Sequence, residues 1–216
     1  MIPSRSELIL LSSMTEAGSV VIDHDFRLSG ARVLLIETAT LAEGRTQHGG
    51  TTEALYAGAG SDVIIMDLSG LAPEAVRAEV RSADVVHLAG GNTFALLSAM
   101  RTAGFGPALR ARGEERDLLV VGESAGALVM GADIAHAASL DAPGSFDLSD
   151  AAGLGWIPDL LVPHVGCRFY GIGEAVGAFL AGDPDPERYT QLREEEALIV
   201  TPNDRKLVIA PSPSPF

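Results

Sequence analysis

The chain has 216 residues, of which 47% are hydrophobic, 20% charged and 5% aromatic, and carries a formal net charge of −14 at pH 7. A chain of this length buries roughly 70% of its unfolded surface, which supports a continuous core and excludes wholesale disorder. With 15 basic residues against 29 acidic ones, clustered Lys/Arg for a phosphate backbone is lacking, and nucleic acid is excluded as a partner.

The opening residues, Met1-Ile2-Pro3-Ser4-Arg5-Ser6-Glu7, lead into an apolar run at 8–11 that is too short for a signal peptide. No run reaches the ~18 apolar residues of a membrane span. The expectation is a soluble, cytoplasmic protein with one domain over 1–210 and a loose Pro/Ser tail at 211–216.

Taken in chain order, strands are expected at 7–12 and 32–37, a helix near 51–59, and a strand at 62–67. Pro73 suits the first turn of a helix at 73–81, which precedes a strand at 84–88. A helix follows near 93–102, then a strand at 117–121. The segment 135–155 is irregular, and long irregular loops in α/β domains are more often functional than decorative. Beyond it lie a strand at 160–162 and a helix near 173–180. The strands at 197–200 and 207–210 are joined by the polar Thr201-Pro202-Asn203-Asp204-Arg205-Lys206, which predicts an antiparallel edge hairpin. Continuous β-branched runs such as Val63-Ile64-Ile65 suit strands buried on both faces. The whole predicts an α/β three-layer α/β/α sandwich around a mostly parallel sheet.

Gly122-Glu123-Ser124-Ala125-Gly126 sits between a strand and an apolar helical stretch. This is G-x-S-x-G in the strand–turn–helix setting of a nucleophile elbow. A serine hydroxyl needs a base, and histidine has the suitable pKa. Of the five histidines, His24 and His48 lie in polar segments, and His87 lies inside an apolar strand run. His164 ends the strand at 160–162, at the sheet edge where Ser124 should emerge; His136 is its rival. Oxyanion donors are available from the Ala125 amide and from the outward-facing amides of Gly90-Gly91-Asn92-Thr93, where Asn92 or Thr93 also suits a helix N-cap. The one cysteine, Cys167, forms neither an internal disulfide nor a cysteine zinc site. It reads as a plain buried or loop cysteine, and the run Glu194-Glu195-Glu196 reads as a solvated loop.

Through Gly90-Gly91-Asn92-Thr93, Gly122-Glu123-Ser124-Ala125-Gly126-Ala127 and Pro163-His164, in that order, residues 62–210 resemble the peptidase E and cyanophycinase family of serine peptidases. The resemblance implies a class I glutamine amidotransferase-like fold, Ser124 as nucleophile, His164 as base, and the amides of Gly91 and Ala125 as oxyanion hole. It also implies a triad carboxylate between serine and histidine. Asp141, after Leu140, resembles that position, with Asp147 as its rival.

Two departures stand out. Leu11-Ser12-Ser13-Met14 replaces the family's glycine-rich loop after the first strand. Downstream of His164 only Arg168 remains of the family's arginines, before the mostly apolar 169–180. The family tends to cleave after acidic residues, so Arg168 becomes the candidate for a substrate carboxylate. Gly90 and Asn92 are the other substrate-binding candidates.

The resulting expectation is a serine peptidase acting on small peptides or related amides through a Ser124–His164–Asp141 triad and an acyl-enzyme. No metal or organic cofactor is implied, since no H-E-x-x-H or clustered ligand spacing is present. A homodimer contact is available through apolar faces around 173–180. The alternatives are a non-catalytic binding or regulatory member of the fold, or a specialised amide or ester hydrolase.

Overall fold

Short apolar runs bounded by turn residues form the strands, and the stretches between them coil into helices. The computed structural model describes residues 1–24, 26–45, 49–168 and 171–211. The first half comprises β1 (Ser6–Leu11), α1 (Met14–Ile22), β2 (Arg32–Ile36), α2 (Thr38–Ala42), α3 (Gly49–Gly58), β3 (Asp62–Met66), α4 (Pro73–Ser82) and β4 (Val85–Leu88). There follow α5 (Thr93–Thr102), α6 (Phe105–Glu115), β5 (Leu118–Glu123), α7 (Ala125–Leu128) and β6 (Leu160–Val162). The chain closes with α8 (Ile172–Gly182), β7 (Tyr189–Gln191), β8 (Glu196–Val200) and β9 (Arg205–Ile209).

Seven strands form one sheet in the order β3-β2-β4-β5-β1-β8-β9. The first five in that order pair in parallel, and β8 and β9 add antiparallel. The hairpin expected at the sheet edge is therefore β8–β9. Successive residues of a strand point to opposite faces, and the core divides accordingly. Leu8 and Leu10 of β1 join Val76 and Val80 of α4, Phe94 and Leu97 of α5, and Leu109 of α6 on one side. Ile9 and Leu11 join Met14, Ala17 and Val21 of α1 and Tyr56 of α3 on the other. Each such fully buried aliphatic side chain contributes about 1.5–3 kcal/mol relative to exposure, which is what holds both helical layers on the sheet.

Helices α1, α2 and α6 and strand β7 are not among the expected elements, and one expected strand takes a different place. β6 does not extend the central sheet but pairs in parallel with β7, Leu160 opposite Tyr189, in a separate two-stranded sheet. The place beside β1 is occupied by β8, with Leu8 opposite Val200. The small sheet has its own core, in which Val162 and Tyr189 pack against Val176, Phe179 and Leu180 of α8. Part of the apolar face of α8 is thereby covered within the chain. Among the described residues no helix is long and apolar enough to cross a membrane. His48 and the tail at 212–216 lie outside the described residues.

The candidate active site

The carboxyl ends of β1, β4 and β5 lie side by side, and the chain turns sharply there from β5 into α7. Ser124 occupies the turn with φ 50° and ψ −108°, a conformation that non-glycine residues adopt at a cost of about 1–3 kcal/mol. The neighbours explain how the turn is held. The Ser124 amide donates to the Leu11 carbonyl at 2.9 Å. A Cβ on Gly126 would run into the Leu88 carbonyl, and one on Gly122 would stand 2.7 Å from the Gly126 oxygen. Only glycine lets α7 approach β4 and β5 this closely.

His164 reaches the same place from β6. Its φ of 65° is the other positive value among the described non-glycine residues. Ser12, at the end of β1, holds this backbone: its Oγ accepts the His164 amide at 3.0 Å and donates to the Leu192 carbonyl at 3.1 Å. The short Leu11-Ser12-Ser13 connection is thus a support for His164, a role invisible in the sequence.

His164 Nε2 lies 2.8 Å from Ser124 Oγ, and its Nδ1 lies 2.7 Å from Glu194 Oε1. Because the ionised carboxylate only accepts, Nδ1 carries the proton and Nε2 presents its lone pair to the serine hydroxyl. Burial alone would raise the Glu194 carboxyl. The hydrogen bond and charge of His164 and a hydrogen bond from the Cys167 thiol outweigh it and hold Glu194 below its ordinary range.

Asp141 is not at His164. Its Oδ2 accepts the Thr93 amide at 2.9 Å and the Thr93 hydroxyl at 2.5 Å, at the start of α5. A helix N-terminus has unpaired amides and favours negative charge, which accounts for that placement. Asn92 completes the cap, with Oδ1 accepting from the Ala95 amide and Nδ2 donating to the Ala142 carbonyl, both at 2.9 Å. Asp147 is likewise engaged elsewhere, accepting the amide and hydroxyl of Ser149. The carboxylate beside the histidine is Glu194, from the acidic run read as a solvated loop.

The glycine pair after β4 packs against the serine. A Cβ on Gly90 would lie 3.3 Å from Ser124 Cβ, and the Gly90 carbonyl accepts from the Thr40 hydroxyl at 2.7 Å. Gly91 has φ 128°, and a Cβ there would overlap the Ala39 backbone. Among the described residues, the amides of Gly91 and Ala125 have no backbone acceptor, so both are available to an incoming oxygen.

The other candidates fall as follows. His136 is engaged away from the site, its Nε2 donating to the Leu161 carbonyl at 2.7 Å and its ring packed in a cluster with Phe179 and Tyr189. His24 pairs with Glu7. His87 is fully buried, with Nδ1 2.9 Å from the Tyr56 hydroxyl and Nε2 3.7 Å from Glu123 Oε2. Glu123, next to Ser124, accepts the Met14 amide of α1 at 2.8 Å through its other oxygen. Arg168 is exposed and makes no ion pair among the described residues. Cys167 is not simply a loop cysteine. Its amide donates to the His164 carbonyl at 3.1 Å, closing a turn with Gly166 at φ 74°, and this brings the thiol back onto Glu194.

A cavity of about 920 Å³ lies at the opposite end of the parallel strands, at their amino-terminal ends, between Arg5, His24, Arg27, Asp84, Arg116 and Thr201. It contains none of the groups gathered around Ser124. Hydrogen-bonded chemistry, not cavity size, marks the candidate site.

Comparisons with known proteins give the family and the fold. The model of peptidase family S51 matches residues 8–208. Over 161 residues the chain is 27% identical to an uncharacterized peptidase of Listeria innocua serovar 6a, covering 73% of this chain and 75% of that protein. The fold superposes on the crystal structure of a candidate peptidase E from Listeria monocytogenes EGD-e with a TM-score of 0.82 at 21% identity, covering 95% of this chain and 99% of the other. It also superposes on a peptidase from an acI-B1 Actinobacterium, with a TM-score of 0.63 at 18% identity, covering 96% and 89%. A match running from β1 into β9 reaches every strand of the central sheet, and the chain belongs to peptidase family S51, serine peptidases of the peptidase E type.

Proposed function

We propose that the protein hydrolyses small peptides through an acyl-enzyme on Ser124, with His164 as general base and Glu194 as the group that orients it. The observation that carries this reading is the unbroken line from Ser124 Oγ to His164 Nε2 at 2.8 Å and from Nδ1 to Glu194 Oε1 at 2.7 Å. As Ser124 attacks the scissile carbonyl, its proton passes to Nε2. Glu194 stabilises the imidazolium, which then protonates the leaving amine. The amides of Gly91 and Ala125 receive the developing oxyanion, and water repeats the sequence to release the acid. Glu194 takes the place that family resemblance had given to Asp141.

Arg168, four residues beyond His164 and without an ion-pair partner among the described residues, is the cation that would meet an acidic residue on the acyl side of the scissile bond. With a net charge of −14, long-range attraction of such a substrate is absent, so this preference rests on that local contact.

The test is labelling by a fluorophosphonate together with turnover of short peptides, acidic and neutral on the acyl side, by wild type and Ser124→Ala. Labelling and cleavage that both vanish in the variant support the reading. Preference for acidic peptides that Arg168→Ala removes supports the arginine contact. A folded wild type that neither labels nor cleaves leaves a binding protein on a peptidase scaffold.

A further inference from the structure

We propose that His164, Cys167 and Glu194 form an inhibitory binding site for a borderline-soft divalent cation of the zinc type. The inference rests on the assignment of His164 as general base and adds a means of switching it off.

Each of the three residues offers one ligand atom, and these atoms lie within 4.8 Å of one another. The His164 ring nitrogen that faces the group is Nδ1, since Nε2 faces Ser124. A nitrogen, a thiolate sulfur and a carboxylate oxygen form a donor set suited to Zn²⁺ or Cd²⁺, with a water as fourth ligand. Mg²⁺ and Ca²⁺ need more oxygens than one carboxylate supplies. Ligands about 2.0–2.3 Å from a tetrahedral ion stand roughly 3.3–3.8 Å apart, so Nδ1 and Oε1 must part by no more than about 1 Å. The turn at 164–167 fixes the thiol beside them, and all three residues are partly open to solvent.

The consequence for catalysis follows from proton bookkeeping. The ring gives its Nδ1 proton to solvent and takes one from solvent on Nε2, so that the ion binds the freed Nδ1 lone pair and the neutral ring carries its one proton on Nε2. The thiol proton leaves to solvent. A protonated Nε2 donates toward Ser124 Oγ and cannot accept its proton, and Glu194 is drawn onto the metal. The ion must displace the hydrogen bond between His164 and Glu194, which makes it a reversible inhibitor and not a resident group.

The test uses the full chain stripped of metal. Zn²⁺ at about ten times its dissociation constant is expected to slow fluorophosphonate labelling of wild type about tenfold, with chelator restoring the rate and Mg²⁺ having no effect. Cys167→Ser, compared with its own metal-free rate, is expected to lose this sensitivity. Independently, Cd²⁺ titration is expected to give an ultraviolet thiolate charge-transfer band at one ion per chain, kept by Ser124→Ala and lost by Cys167→Ser. Equal slowing of wild type and Cys167→Ser, or no Cd²⁺ band, overturns the site. Failure of metal-free wild type to label overturns the assignment of Ser124 and with it the inhibition, while the Cd²⁺ band still decides the ligand set.

Discussion

Glu194 Oε1 stands 2.7 Å from His164 Nδ1, although the two residues come from different connections, one after β7 and one after β6. The pairing of those two short strands in their own sheet is what brings the carboxylate to the ring. Replacing Glu194 by Gln keeps the size but removes the charge that stabilises the imidazolium and weakens the hold on the tautomer. A loss of about 10²–10⁴ in kcat is expected, with KM little changed. Asp141→Asn, by contrast, should leave kcat within a few-fold and cost about 0.5–2 kcal/mol of stability through the weakened start of α5. Steady-state kinetics and urea unfolding of the two variants separate these roles. The reverse pattern would return Asp141 to the catalytic group.

The contrast between those two acids shows what the sequence could carry. Ser124 was legible because local rules converge on it: an apolar strand run, small neighbours and an apolar helix start. His164 was legible because it ends such a run, even though β6 belongs to a different sheet from the one expected. Glu194 was not. It lies in Glu194-Glu195-Glu196, where Glu195 is exposed and Glu196 caps the Arg193 amide. No periodicity distinguishes the acid that faces inward; only the pairing of β6 with β7 does. Cys167 failed for a similar reason, since an extended segment would have carried it away from His164 and a glycine turn carries it back.

Gly126 tests the backbone requirement beneath the serine. Gly126→Ala places a methyl group against the Leu88 carbonyl, a backbone atom of a central strand that cannot swing aside. Destabilisation at or above the about 1–3 kcal/mol typical of overpacking is expected, with slower fluorophosphonate labelling of whatever folds. Urea midpoints unchanged from wild type would mean that α7 sits farther from β4 than described.

Tyr56 and His87 form a buried pair behind the site. Burial, and then the negative charge of Glu123, push the Tyr56 phenol well above its ordinary value, so the hydroxyl stays protonated and available to His87 Nδ1. Tyr56→Phe removes the partner and leaves a buried ring nitrogen unpaired, at a cost of about 1–3 kcal/mol. Denaturant unfolding gives the number directly. A neutral result would show that the Tyr56 bond is replaceable, for instance by water.

His136 provides the pH prediction. Burial lowers its pKa, an effect that the Leu161 carbonyl and Asp133 oppose and Arg188 reinforces. A histidine with a folded pKa below its unfolded value of about 6.5 binds protons more readily in the unfolded chain. Its contribution therefore leaves stability intact above about pH 6.5 and erodes it as the pH falls from there toward the folded pKa. His136→Gln keeps a donor for the Leu161 carbonyl and has nothing to titrate. Urea unfolding at about pH 7.5 and 5.5 should show wild type losing more stability than the variant over that interval. Equal losses would mean that the ring accepts its second proton in place, and that Phe179 and Tyr189 do not shield it as their packing implies.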